Sequence, residues 1–419
     1  MLMDQLEKAD PEIARLIRAE QKRQSETLEM IASENHVSPA VLVAMGSVLT
    51  DKYAEGYPHR RYYCGNRNID SVEQVCIDRA KQLFAAEHAN VQPHCGTSAN
   101  LAVYLAALEP GAKILGMELA HGGHLSHGMK VNVSGKLYHS FGYGVDRATE
   151  RIDMDEVRRK ALEIRPDIIV AGATAYPRTI DFAGFGAIAE EAGCPLLCDI
   201  AHIAGLVVGG VHPSPVPHST FVTMTNHKTL RGPRGGIILC RRQWAAKIDA
   251  AVFPGLQGGP LEHVIAAKAV ALAEAMRPQF RDYAAAIVAN ARSLAEGLLE
   301  RGWRLVSGGT DNHLILVDLS SRDADLPGRQ AATWLEAAGI ITNWNKVPFD
   351  KRPATEASGI RLGTPALTTR GMGGEQMRDI AGWIDRVLTS GGDVDVLADV
   401  HRQVRQLCRR FPIPSDNGK

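Results

Sequence analysis

At 419 residues the chain exceeds the roughly 250–300 residues that one hydrophobic core sustains, so two or more domains are expected. Its 47 lysines and arginines balance 47 aspartates and glutamates, which leaves no net charge to draw it toward nucleic acid or an acidic membrane. A composition of 45% hydrophobic and 22% charged residues excludes a largely disordered chain, and 5% aromatics speak against a base-stacking surface.

The start, Met1-Leu2-Met3-Asp4-Gln5-Leu6-Glu7, lacks the basic and apolar regions of a secretory signal. No segment approaches the about 20 apolar residues of a membrane helix, so a cytoplasmic protein is expected. Asp10-Pro11 marks a helix start, because proline at the first helical position gives up no needed N–H. Residues 69–84 read as a second helix. Asp70 and Glu73 have capping-box spacing there, and Val72, Cys76, Ala80 and Leu83 mark an apolar face.

Beyond residue 110 the pattern changes. Lys113–Met117, Asp167–Ala171, Pro195–Asp199, Phe221–Thr225 and Gly236–Cys240 are nearly continuous apolar runs, as in strands covered on both faces. Helical stretches at Asp153–Glu163 and Phe182–Ala192 fall between them. This alternation predicts an α/β fold with a mostly parallel central sheet and helices on both sides. The Gly/Pro-rich segment Pro254–Pro260 breaks the pattern, and a helical region over 261–301 follows. Leu314–Leu319 reads as a strand of a smaller α+β unit closed by helices over 373–389 and 395–410. The expected division is an N-terminal arm over 1–50, a large domain over 51–280 and a small C-terminal domain over 281–419. The seven cysteines are odd in number and form no CxxC pair, which fits reduced thiols. Cys198 and Cys240 read as small buried strand residues.

Open parallel sheets bind ligands at the carboxyl ends of their strands. Two such ends are rich in polar residues: Cys198-Asp199-Ile200-Ala201-His202, and the stretch from Thr223 to Gly236 that contains Lys228. Taken alone, Asp199 serves equally well as a helix cap, and a lone lysine is usually solvated. Lys228, however, lies between an apolar strand and a glycine-rich turn, which puts it in the interior crevice. A partly desolvated amine has a lowered pKa and condenses with carbonyls. If the carbonyl belongs to pyridoxal phosphate, a carboxylate is needed at the ring nitrogen, and Asp199 precedes Lys228 by about thirty residues. Gln92–Asn100 reads as a glycine turn opening a helix, a seat for the phosphate. His121, His124 and His127 have HxxHxxH spacing, but glycines interrupt the helix such a metal site needs, and no metal is expected.

With these residues assembled, the chain resembles serine hydroxymethyltransferase, a fold-type I pyridoxal-phosphate transferase of the aspartate-aminotransferase fold type, from about residue 26 to 411. The matching segments are Glu29–Asn35, Lys52–Pro58, Leu119–Leu125, Asp199–Gly205, His227–Gly236, Val306–Asn312 and Ser358–Arg361. The resemblance implies that Lys228 bonds covalently to the cofactor, Asp199 pairs with its ring nitrogen, and His202 lies near its phenolic oxygen. It implies that His124 stacks on the ring and that Gly96 and Thr97 hold the phosphate, with Thr174 as a further contact. Tyr53, Gly258 and Gly259 would join from a partner subunit. Arg361 would clamp the amino-acid carboxylate, assisted by Ser33, a task that favours guanidinium over ammonium. Glu55 would be the acid/base residue contributed across the interface, with Tyr63 and Thr225 at the reacting centre. Leu119, Gly123, Leu125 and Asn345 would contact the pteridine of tetrahydrofolate, the co-substrate. The expected assembly is a homodimer with shared sites, a tetramer remaining open, working in one-carbon and amino-acid metabolism.

Several positions depart from the family pattern. Tyr62-Tyr63-Cys64-Gly65 stands where Tyr-Tyr-Gly-Gly is usual, and Asn66-Arg67-Asn68 follows it in place of a Cys/Thr-Glu-aromatic run. His94-Cys95-Gly96 replaces His-Ser-Gly, Ser98 replaces a glutamine, and Thr223-Met224-Thr225-Asn226 replaces four threonines. His36 occupies an aromatic position. Such changes around a retained catalytic set raise a second expectation: an α-substituted serine such as 2-methylserine, releasing D-alanine, or a related aldolase reaction. A scaffold without catalysis has no use for Lys228, Asp199, His124, Glu55 and Arg361 together.

Overall fold

The computed structural model describes residues 2–414 and builds the apolar runs into a seven-stranded sheet. Its strands are β1 (His88–Asn90), β2 (Lys113–Met117), β3 (His139–Tyr143), β4 (Ile168–Gly172), β5 (Leu196–Asp199), β6 (Phe221–Thr225) and β7 (Gly236–Cys240). They lie in the order β1-β7-β6-β5-β4-β2-β3. Pairs from β6 to β3 are parallel, and β7 runs antiparallel to both β6 and β1. The mostly parallel α/β sheet agrees with the expectation. Two strands escape the apolar-run criterion for physical reasons. β1 has only three residues, and edge strand β3 leaves its first three residues exposed.

Alternate residues of each strand feed opposite apolar layers, as the two-residue period requires. Leu115, Ile169, Cys198, Val222 and Ile237 pack on one face. Ile114, Ile168, Leu197, Phe221 and Ile238 pack on the other. Each such side chain contributes about 2 kcal/mol through burial. Cys198 and Cys240 are buried within these layers, and all seven cysteines are free thiols.

A second, antiparallel sheet contains β8 (Arg304–Leu305), β9 (Leu314–Asp318), β10 (Asn343–Asn345) and β11 (Gly359–Gly363), in the order β8-β9-β11-β10. Helices Gln279–Glu300, Gly328–Ala337, Gly374–Thr389 and Val394–Arg410 supply most of its core. Leu28 and Met30 belong to this core too, and Leu28–Glu29 pairs in parallel with Ile340–Ile341. The helical region expected over 261–301 is two helices, Glu262–Ala275 and Gln279–Glu300. The break coincides with Pro278, which has no N–H to continue the ladder.

Asp10 caps its helix as expected, its side chain accepting from the Ile13 amide at 3.0 Å. The capping-box reading of Asp70 and Glu73 is overturned. The helix begins at Arg67, and both carboxylates are buried against the Arg61 guanidinium at 2.8 and 2.6 Å. A cation from outside the helix outcompetes a local cap because the charges are withdrawn from water. Among the described residues no helix is long and apolar enough to cross a membrane.

Candidate active site

The carboxyl ends of the central strands open onto a cavity of about 380 Å³. Strand β5 delivers Asp199 and the turn after it His202. Strand β6 ends at Thr225, with Lys228 in the following loop. The N-terminus of the Gly96–Ala107 helix brings Gly96 and Thr97, and His124 and Thr174 follow β2 and β4. Ser33 enters from the N-terminal segment and Arg361 from the middle of β11.

Asp199 is held before any ligand arrives. Its Oδ2 accepts from Asn100 Nδ2 at 2.8 Å and faces His127 Nε2 at 2.9 Å, and its Oδ1 accepts from the Ala201 amide at 3.0 Å. Asn100 Oδ1 in turn accepts from the Thr223 hydroxyl at 2.6 Å. Burial alone would raise the Asp199 carboxyl, but the His127 contact and the neighbouring amide outweigh it and hold it well below the usual carboxylate range. The anion is thus ready for a protonated ring nitrogen.

Burial lowers the Lys228 ammonium to about 8, against the opposing pull of Asp199. Still mostly protonated at neutral pH, it has a larger neutral fraction than an exposed lysine, which suits a nucleophilic amine. The loop that aims it is tight. The Gly232 amide donates to the Asn226 carbonyl at 2.6 Å, and a Cβ on Gly232 would lie 3.0 Å from that oxygen.

Arg361 is also buried, and burial lowers it to about 10. Its Nε donates to Asn343 Oδ1 at 3.1 Å and its Nη1 to the Thr174 carbonyl at 2.9 Å. No carboxylate among the described residues forms an ion pair with it. A buried cation without an anion is costly, and this one lines the cavity.

The remaining polar groups fit pyridoxal phosphate. His202 Nε2 is buried without a partner, while its Nδ1 faces His313 Nε2 at 3.3 Å. Burial lowers both imidazoles, so this pair is neutral. His124, lowered by burial to about 4, is a neutral ring anchored through Nδ1 to Ser126 Oγ at 2.7 Å. Cys95 precedes the Gly96–Ala107 helix and caps it with no side-chain hydrogen bond, leaving first-turn N–H groups for an anion. A Cβ at position 96 would crowd Thr225 Cγ2 at 2.8 Å.

Five of the expected catalytic and cofactor residues stand elsewhere. Tyr53, Glu55, Tyr63, Gly258 and Gly259 gather on an outer face and do not line the cavity. The Tyr53 and Tyr63 ring centroids are 5.2 Å apart. A Cβ on Gly258 would lie 3.3 Å from Glu55 Oε1, and one on Gly259 would lie 3.4 Å from the Tyr53 ring. Arg61 braces this face through the Ala54 and Gly56 carbonyls at 2.8 and 3.0 Å. Leu119 lines a neighbouring cavity of about 670 Å³ that also reaches His124. Leu125 is exposed, Gly123 is buried against the Met117 and Glu118 backbone, and Asn345 follows Asn343 on β10 outside both cavities.

The cavity also holds residues that sequence reasoning did not single out: Glu34, Ala173, Ala201, His227 and Arg234. His227 and Arg234 flank Lys228 within the same glycine-rich stretch, which is the signal that pointed there. Asn100, His127 and Asn343 act from behind; Asn100 and His127 fall within motifs the sequence offers, but nothing local marks them as partners of Asp199, and Asn343 left no trace. His121 turns away toward Phe349, with ring centroids 4.7 Å apart, so the three-histidine spacing does not form one ligand set. His124, His127 and Asp199 do bring ligand atoms within 4.8 Å of one another, but His127 Nε2 and Asp199 Oδ2 already engage each other. Among the departures only Cys95 reaches the main cavity, and His36 lines an adjoining one. Met224 is buried in the core, Asn226 is buried beside it, and Cys64 is exposed.

A desolvated lysine, an ionised aspartate, a neutral imidazole, an uncapped helix start and an unpaired arginine meet at one cavity. A family model described as serine hydroxymethyltransferase matches residues 6–384, and the chain belongs to that family of pyridoxal-phosphate transferases, whose co-substrate is tetrahydrofolate.

Proposed function

We propose that this family member transfers the hydroxymethyl carbon of serine reversibly to tetrahydrofolate, giving glycine and 5,10-methylenetetrahydrofolate. The observation that carries this reading is the unpaired Arg361 guanidinium in the cavity that holds Lys228 and Asp199. It supplies a carboxylate clamp beside a cofactor seat. Pyridoxal phosphate held here would supply an electron sink for breaking the substrate carbon–carbon bond. The chain's own groups do the rest. Lys228 holds the cofactor, Asp199 keeps its ring nitrogen protonated, and Gly96, Thr97 and Thr174 seat it. His202 offers a free ring nitrogen to the phenolic oxygen. Arg361 and Ser33 fix the amino acid. Thr225, whose hydroxyl donates to the Ala201 carbonyl at 3.1 Å, lines the reacting centre. Leu119, Gly123, Leu125 and Asn345 receive the folate.

Within one chain Cys95 alone among the departures lines the cavity, so the rest of that lining keeps the family pattern, which supports serine over 2-methylserine. Purified enzyme with tetrahydrofolate is expected to convert serine to glycine with kcat/KM at least about tenfold above its conversion of 2-methylserine to D-alanine. Equal or better turnover of 2-methylserine would replace serine as the substrate in this reading.

Glu55, Tyr53, Tyr63, Gly258 and Gly259 are proposed to serve the cavity of a second copy, making a homodimer the smallest active unit. Exposed Tyr62, Leu256 and Leu261 accompany them, and a face so apolar is usually covered. Mixing the inactive Lys228→Ala and Glu55→Gln proteins under conditions of subunit exchange is expected to restore about one quarter of wild-type activity, because half the dimers become mixed and each has one intact site. No restoration would place Glu55 and Lys228 in the same chain's site.

A further inference from the structure

Helix Glu262–Ala275 carries a second buried lysine. Lys268 is 1% exposed, and its Nζ donates to the carbonyls of Val91 at 2.7 Å, Pro93 at 3.0 Å and Gly236 at 2.9 Å. All three donors of the ammonium are thereby spent on backbone. Burial lowers it to about 8, opposed by Cys76 and Glu73, so it remains mostly charged at neutral pH. Burying a charge is expensive, and cores rarely do it without a return.

The three carbonyls identify that return. Val91 and Pro93 belong to the segment between β1 and the Gly96–Ala107 helix, and Gly236 opens β7. The same segment is gripped from its other side. The His94 amide donates to Gln257 Oε1 at 3.0 Å, and Gln257 Nε2 donates to the Gln92 carbonyl at 3.0 Å. The Pro93–His94 peptide is therefore held at its carbonyl by Lys268 and at its N–H by Gln257. Glycines make room for this arrangement. A Cβ on Gly235 would lie 2.3 Å from Lys268 Cε, and one on Gly236 would lie 2.6 Å from the Cys95 carbonyl. Two residues after the clamped peptide the helix begins, with its N–H groups left uncapped by Cys95.

We propose that Lys268 is a positioning residue for the cofactor phosphate, acting through the Val91–Gly96 loop to aim the first-turn N–H groups of the Gly96–Ala107 helix. It never touches the phosphate itself, because its donors are occupied. The proposal rests on Gly96 and Thr97 being the phosphate seat. Gln257 precedes Gly258 and Gly259, so the brace also ties a subunit's own phosphate loop to the glycines proposed to reach its partner.

The test compares two ligands that share the aldehyde and ring but differ in the phosphate. Apoenzyme is titrated with pyridoxal 5′-phosphate and with pyridoxal, following absorbance, and folding is checked by circular dichroism. Lys268→Met is expected to weaken pyridoxal-phosphate affinity by about tenfold or more while changing pyridoxal affinity less than about twofold. Gly235→Ala keeps the charge but displaces the side chain, and a smaller loss with the same selectivity is expected. Equal losses for both ligands in either folded variant would make Lys268 merely structural and overturn the proposal. If Lys268→Met does not fold, Gly235→Ala decides, and unchanged pyridoxal-phosphate affinity there overturns it. Thr97→Ala tests the seat separately. If Thr97→Ala leaves pyridoxal-phosphate affinity intact, the phosphate lies elsewhere and the seat is what failed. If it weakens affinity and the Lys268 and Gly235 variants do not, the seat stands and Lys268 has no part in it.

Discussion

Lys228→Ala is expected to lower hydroxymethyl transfer by about a thousandfold or more, because no other amine in the cavity replaces it as nucleophile. Arg234 and Arg361 also line the cavity, but a guanidinium stays protonated and does not attack a carbonyl. Lys268 is too far engaged with the Val91, Pro93 and Gly236 carbonyls to substitute. The Lys228 amine is made reactive by burial, which lowers it to about 8, and Asp199 limits how far it falls. The variant should fold, since alanine removes a buried charge and leaves the Lys228 carbonyl still accepting from Asn35 at 2.9 Å. Steady-state turnover is one readout. Borohydride reduction followed by peptide mass analysis is the second: cofactor should appear on the Lys228 peptide of the wild type and on no peptide of the variant. Turnover within about tenfold of wild type would assign the nucleophile to another group.

What the sequence could show was whatever is local. Strands β2, β4, β5, β6 and β7 are short apolar runs buried on both faces, so their positions and the polar residues at their ends were readable from spacing alone. Asp199 and Lys228 follow from these strand ends without any family resemblance. The support beneath them was not readable. Asn100 and His127 hold Asp199 across 99 and 72 residues of chain, and no periodicity reports such a contact. Asp70 and Glu73 show the opposite failure. Their spacing was correct for a cap, but Arg61, 9 and 12 residues away, claimed both carboxylates. Arg361 sits inside a fully buried strand, where the local pattern argues for an apolar residue. Only the resemblance of Ser358–Arg361 to a family segment marked it. Glu55 and its neighbours were marked in the same way, and they do not line the cavity of their own chain.

Arg361→Ala is expected to raise the KM for the amino acid strongly and lower kcat/KM by about a hundredfold or more, equivalent to roughly 3 kcal/mol for a desolvated, charge-assisted pair. The guanidinium is preorganised for this work. Asn343 holds Nε and the Thr174 carbonyl holds Nη1, which fixes the plane of the fork before substrate arrives. Asn343 lies directly across from Arg361 in the β10–β11 register, so the second sheet itself sets the orientation. Thr174 belongs to the central sheet's loops, and its carbonyl ties the arginine to the other side of the cavity. The carboxylate of the substrate would complete the charge that folding left unpaired. Arg361→Lys keeps one positive charge but loses the planar fork, so its loss is expected to lie between wild type and alanine. The measurement is steady-state kinetics over a range of serine concentrations, with pyridoxal-phosphate affinity measured beside it. Cofactor affinity should stay close to wild type in both variants, because Arg361 is assigned to the amino acid alone. A fall in cofactor affinity matching the fall in kcat/KM would move Arg361 from the substrate to the cofactor, and the unpaired charge would then need a different anion.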